Sequence, residues 1–106
     1  TSLNIIRLGT SGSIQKDIEP ERILISEAAI GLDVLMHYYL PDEFLDHPLT
    51  KELSKNWPPF FPKPYFTLAS SPLVEHFYEP DNTIKGITLT MPGFYAPQGR
   101  KLRLKI

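Results

Sequence analysis

"EPERILISEAAI", residues 19–30, decides how the rest of the chain is read. Pro20 marks a turn, and Ile23 to Ile25 form the apolar heart of a strand that leaves it. Upstream, "LNIIRLG" (residues 3–9) reads as another short strand, with Ile5 and Ile6 β-branched and Gly9 ending it. Downstream, "GITLTMPGFY" (86–95) sets Ile87, Leu89 and Met91 on one face and threonines on the other, the two-residue period of a strand. Two helices fall between. "HPLTKELSKNW" (47–57) has Pro48 in its first turn, with Leu49, Leu53 and Trp57 at intervals of four on one face. "SSPLVEHFYEP" (70–80) is capped by Ser71, carries Pro72 at the first helical position, and cannot run past Pro80. Leu32, Leu35, Met36 and Tyr39 have helical spacing yet continue the strand before them, so both readings stay open there. "DNTIKG" (81–86) is expected to be a turn, and "KLRLKI" (101–106) alternates basic and apolar residues.

Strands separated by long, helix-containing connections point to an α/β sheet with parallel neighbours. No internal repeat or low-complexity segment interrupts that pattern. A naked strand at the front and an unterminated element at the back lead to the expectation that residues 1–106 are part of a larger domain.

Composition narrows the function classes. The chain has 106 residues, 42% hydrophobic and 22% charged, as in an ordinary globular domain. Its net charge of -1 gives no electrostatic footprint for nucleic acid or for an anionic membrane. With no cysteine there is no disulfide, thiolate metal site or cysteine nucleophile. No apolar run is long enough to span a bilayer, and the first residues lack the zones of a signal peptide. The expectation is a cytoplasmic domain. The 11 prolines are unusual, and several cluster in "WPPFFPKPYF" (57–66), interleaved with Trp57, Phe60, Phe61, Tyr65 and Phe66. So much aromatic area is costly to leave in water, so this segment is expected to be a packed irregular loop, either a lid or a buried subunit contact, with a packed loop of no functional role as the plainer reading.

Two loops following strands carry the residues suited to chemistry. In "RLGTSGSIQ" (7–15), Gly9 and Gly12 let backbone N–H groups approach an anion, and Thr10 and Ser11 add hydroxyl donors. Arg7 adds a permanent charge with a planar fork that suits phosphate. The loop lacks the lysine of a P-loop and is not a G-x-G-x-x-G fingerprint. In "FYAPQGR" (94–100), Gln98 offers an acceptor and two donors in a plane, while Arg100 offers only donors. Together they match an edge with two acceptor oxygens flanking an N–H, which uracil presents, and Phe94 or Tyr95 supplies an apolar wall. The plainer reading of each loop, a connection with solvated side chains, stands beside these on composition alone.

Taken together, "IIRLGTSGSIQ" and "FYAPQGR" resemble the nucleoside phosphorylase superfamily, and F-Y-x-x-Q-x-R resembles specifically its uridine phosphorylase branch. "ILISEAAIGLD" (23–33) is similar to the family strand that follows the phosphate loop. The likeness covers both ends of the chain and is poor from about His37 to Thr83. It implies a three-layer α/β/α fold with a central mixed sheet, of which this chain would be the central segment, lacking the N-terminal and C-terminal parts. The implied reaction is phosphorolysis of uridine to uracil and ribose 1-phosphate in pyrimidine salvage. Inorganic phosphate is the co-substrate, with no other cofactor, no metal and no covalent nucleophile.

By motif position, the resemblance assigns phosphate binding to Arg7 and Thr10, with Thr10 also near the ribose. Ser11 and Gly12 line the base and ribose side. Phe94 packs on the base, while Gln98 and Arg100 hydrogen-bond the uracil edge. Arg7 and Arg100 carry the catalytic roles, since donors on the uracil oxygens strengthen as the leaving base gains negative charge. The family's earlier glycine loop, its subunit-shared arginine and histidine, and its later Met-Glu ribose grip have no counterpart in this chain. Its residues alone are therefore expected to give no turnover. The resemblance also implies a homo-oligomer, commonly a hexamer built from dimers. A purine or other nucleoside phosphorylase, or a noncatalytic nucleoside-binding scaffold on the same fold, remain the alternatives.

Other polar residues read as structural. His37, His47 and His76 are too scattered for a metal site. Asp42, Glu43 and Asp46 suit capping and dipole roles near a helix start. Glu19 and Glu21 face solvent beside Pro20, and Asp33 is expected to be a buried structural partner.

Overall fold

The structure, a computed structural model, describes residues 2–93. Its centre is β1 (Ile23–Gly31), the strand expected from the isoleucine-rich run. β1 lies between β2 (Tyr65–Leu68) and β3 (Thr83–Thr90) in a three-stranded sheet of order β2–β1–β3. β3 runs parallel to β1, from Ile23 opposite Thr83 to Gly31 opposite Thr90. Glu27 is an extra residue in that register, a bulge between Ser26 and Ala28. β2 is antiparallel, pairing Ala28 with Leu68 through Gly31 with Tyr65. The sheet is therefore mixed, and the chain is α/β, as expected.

A 3-10 turn (Leu35–Tyr38), α1 (Asp42–Leu45) and α2 (Pro48–Ser54) connect β1 to β2. α3 (Ser71–Phe77) connects β2 to β3 and packs on β1, while α1 packs on β2. The core is small. Ala28 and Ile30, two apart on one face of β1, are buried with Leu45, Pro64, Tyr65 and Val74.

Several expectations need correction. Residues 2–22 form no strand, and Leu3, Ile5, Ile6, Leu8 and Ile14 are exposed. β-branched composition makes a strand only when an edge pairs with it, and among the described residues nothing pairs with "LNIIRLG". The ambiguous stretch after β1 is neither strand nor α-helix. Asp33 Oδ1 accepts the Leu35 N–H at 2.9 Å, and this local bond turns the chain into the 3-10 turn.

α2 is shorter than expected and faces differently. Leu49 and Leu53 are largely exposed, Trp57 lies beyond the helix end, and the buried residue is Thr50. Its hydroxyl accepts the His47 N–H at 3.1 Å and donates to the His47 carbonyl at 2.8 Å, which fixes the inward face. In α3 the N-cap is Ser70 rather than Ser71, with no side-chain capping bond, and the helix stops at Phe77, short of Pro80.

"WPPFFPKPYF" is not a uniformly packed loop. Phe60 is 81% exposed and Phe61 49%, whereas Pro64 and Tyr65 are buried. Prolines 58, 59, 62 and 64 lack the N–H a ladder needs, so β2 begins at the first residue past the last of them. β3 starts at Thr83 and absorbs most of the expected turn "DNTIKG", then stops before Met91. Thr83 explains the early start. Its hydroxyl donates to the Glu79 carbonyl and accepts the Glu79 N–H, both at 2.9 Å, leaving Pro80–Asn82 as the turn.

Candidate active site

Because β1 and β3 are parallel, their carboxyl ends lie side by side. The Leu32 N–H donates to the Thr90 carbonyl at 2.8 Å, which ties the two exits together. In open α/β sheets, ligands gather beyond this edge. After β3 the chain has only Met91, Pro92 and Gly93 before Phe94. Gly93 takes φ 118°, a backbone that disfavours side chains, and donates to the Met91 carbonyl at 3.0 Å. A tight turn therefore sits where "FYAPQGR" begins.

Phe94, Gln98 and Arg100 themselves lie outside the described residues. Arg7, Thr10, Ser11 and Gly12 lie in the exposed segment 2–22, ahead of β1. A Cβ built on Gly9 or Gly12 would meet nothing within 4 Å, so no described group crowds that loop. Of the two motifs, only the one at 7–15 lies among the described residues. What the structure places is the exit of β3, three residues from Phe94. An open cleft of about 370 Å³ is lined by His47, Phe66, Val74 and Glu75 among others, and none of the described motif residues borders it.

Beyond the end of β1 the structure assembles a polar cluster that sequence reading did not connect. Tyr65 reaches across from β2, and its hydroxyl donates to Asp33 Oδ1 at 2.7 Å. Burial, reinforced by that carboxylate, pushes the Tyr65 phenol up to about 12. Asp33 is thereby a structural partner, shared between Tyr65 and the Leu35 N–H, but it is half-buried rather than buried as expected. The Lys63 ammonium lies 2.7 Å from Asp46 and 3.4 Å from Asp42. The hydrogen bond to Lys63 holds the Asp46 carboxyl below its ordinary value, and the same bond raises Lys63. Asp42 and Glu43 occupy the first turn of α1, as expected, but Asp46 works through Lys63 instead.

His37 completes the cluster. Nε2 lies 2.7 Å from the Lys63 carbonyl and Nδ1 3.3 Å from Asp42 Oδ1. His47 stacks on Phe66, ring centroids 3.8 Å apart, and its Nδ1 accepts the Leu49 N–H. Both histidines bond to neighbouring chain segments, and no metal-holding cluster occurs among the described residues. Only Asp33 and the acidic pair at the start of α1 were legible. Lys63 sits 21 residues from Asp42, between two prolines, and no local pattern links them.

The model of the phosphorylase superfamily matches residues 2–106. The chain belongs to that superfamily. The match runs through both loops and through the β1–β3 sheet between them. No curated protein and no solved structure matches the chain. Among the described residues no helix is long and apolar enough to cross a membrane.

Proposed function

We propose that this superfamily member is the central part of a uridine phosphorylase domain, with phosphate and uridine as substrates. The observation that carries the reading is F-Y-x-x-Q-x-R at 94–100, which in sequence follows the parallel strand β3 after Met91, Pro92 and Gly93. Gln98 then donates to and accepts from the uracil edge, Arg100 donates to it, and Phe94 packs on its ring. Arg7 and Thr10 hold phosphate, and Ser11 and Gly12 line the ribose side. As the glycosidic bond breaks, negative charge grows on the base. Arg100 stabilises it more in the transition state than in the ground state, while Arg7 keeps the attacking phosphate in place. The parent is a cytoplasmic homo-oligomer that needs no metal.

The test is phosphate-dependent release of uracil from uridine by the full-length protein, with inosine as competitor. Uridine should be preferred, and Gln98→Ala and Arg100→Ala should each lower kcat/KM by roughly 10²- to 10³-fold. Unchanged uridine turnover in both variants overturns the base-reading roles. The exposed Phe60 and Phe61 keep a second reading open, a noncatalytic nucleoside-binding scaffold. Binding of uridine without phosphorolysis by the full-length protein would select it.

A further inference from the structure

Two histidines between β1 and β2 make hydrogen bonds with opposite proton requirements. His37 faces an acceptor at each ring nitrogen, the Lys63 carbonyl at Nε2 and the Asp42 carboxylate at Nδ1. A neutral imidazole has one N–H and can serve only one of them. The ring satisfies both only when it carries both protons. His47 is the reverse. Its Nδ1 accepts the Leu49 N–H at 3.1 Å, so that nitrogen must be bare.

We propose that His37 is a proton-operated latch that fastens the 3-10 turn and α1 to the chain entering β2, engaged when the ring is protonated and released at Asp42 when it is neutral. Loss of the proton should cost the longer contact, because Nε2–H···O at 2.7 Å is the better hydrogen bond. The groups around the ring are consistent with this. From α1 it meets Asp42, with Asp46 nearby. From the strand side it meets the Lys63 backbone carbonyl, while the Lys63 ammonium is occupied by Asp42 and Asp46. The Tyr65 ring stands edge-on at 5.6 Å, and its hydroxyl is committed to Asp33. When His37 lets go, the Asp42 carboxylate keeps, among the described residues, only the 3.4 Å contact with Lys63. The element that loosens lies between the exit of β1 and the entry of β2, on the side of the sheet where the parallel strands end.

The experiment uses the whole chain, with ring nitrogen shifts and amide hydrogen exchange followed from about pH 5 to 8.5, the range in which histidine changes charge. Below its titration, both His37 nitrogens should be protonated. Above it, the proton should remain on Nε2. The Asp46 amide, bonded to the Asp42 carbonyl in α1, should then lose roughly two- to fivefold protection after correction for intrinsic exchange. His37→Gln should flatten that dependence, and His47→Asn should leave it in place. The Lys51 amide of α2 should respond in the opposite sense, losing protection on the acid side as His47 gains its second proton. A His37 ring that keeps its proton on Nδ1 at high pH overturns the proposal. So does an equal pH response of the Asp46 amide in wild type and His37→Gln. The ring shifts of the wild-type chain decide the matter alone if the variant does not fold.

Discussion

Gly31 and Tyr65 face each other across the β1–β2 ladder, and the phenol ring lies over the space where Gly31 has no side chain. A Cβ at Gly31 would overlap the ring, which is buried and anchored at its far end to Asp33. Gly31→Ala must therefore displace Tyr65 or open the ladder. Overpacking of this kind costs about 1–3 kcal/mol. A urea titration should show the loss as a lower midpoint, and an unchanged midpoint would mean the ring is free to move.

The Tyr65 hydroxyl gives a prediction in alkali. The phenol is raised from 10.0 to about 12 in the folded chain. A raised folded value means that its contribution is fully present below pH 10. It is lost as pH rises through 12, because the unfolded chain releases the proton first. The span corresponds to roughly 2–3 kcal/mol at most. Stability measured from pH 9 to 12 should fall more steeply in wild type than in Tyr65→Phe. At pH 7 the same variant should be about 1 kcal/mol less stable, having lost its hydrogen bond to Asp33.

Lys63 and Asp46 form one exposed pair seen from two sides. The Asp46 carboxyl is depressed below 3.8, so its contribution is present above that value and fades as pH drops through the lower folded one. Lys63 is raised above 10.5, so its contribution is present below 10.5 and fades as pH climbs past the higher folded value. Lys63→Gln should return the Asp46 titration toward 3.8 in a carboxyl-detected NMR experiment. No movement would show that the ion pair is not formed in solution.

Thr83 closes the link between α3 and β3 with two side-chain bonds to Glu79 while being only 7% exposed. Thr83→Val keeps the shape and removes both. The Glu79 N–H loses its partner, and a loss of about 1–3 kcal/mol is expected. Thr83→Ser should recover most of it. Chemical denaturation of the three forms provides the comparison.

Arg7 offers a functional prediction that rests on the proposed phosphate role. Arg7→Lys keeps the charge but loses the planar fork. In the full-length protein it should raise the KM for phosphate about tenfold or more, with a smaller effect on the KM for uridine. An effect confined to uridine would move Arg7 away from phosphate.

The α/β class, β1, β3 and the existence of α2 and α3 were all legible in the sequence. Their cues are local: isoleucine runs, two-residue alternation, and a proline in each helix's first turn. The motifs at 7–15 and 94–100 were legible in the same way, as residue types at fixed spacing. β2 was hidden because its four residues follow a proline-rich segment and offer too short a pattern to read. The "LNIIRLG" strand failed for the opposite reason, since its propensity was clear but a ladder requires a partner.

What the sequence by itself determined is the superfamily, the α/β class, and the two strands β1 and β3 with the helices α2 and α3 between them. Only the tertiary structure decided that β1 is central and that β2 joins it antiparallel. It alone showed that His37, Asp42, Lys63, Asp46, Tyr65 and Asp33 share one cluster. The reason is physical. Propensity and motif spacing are properties of neighbouring residues, whereas a hydrogen bond across 26 residues, such as His37 to the Lys63 carbonyl, exists only once the chain has returned on itself.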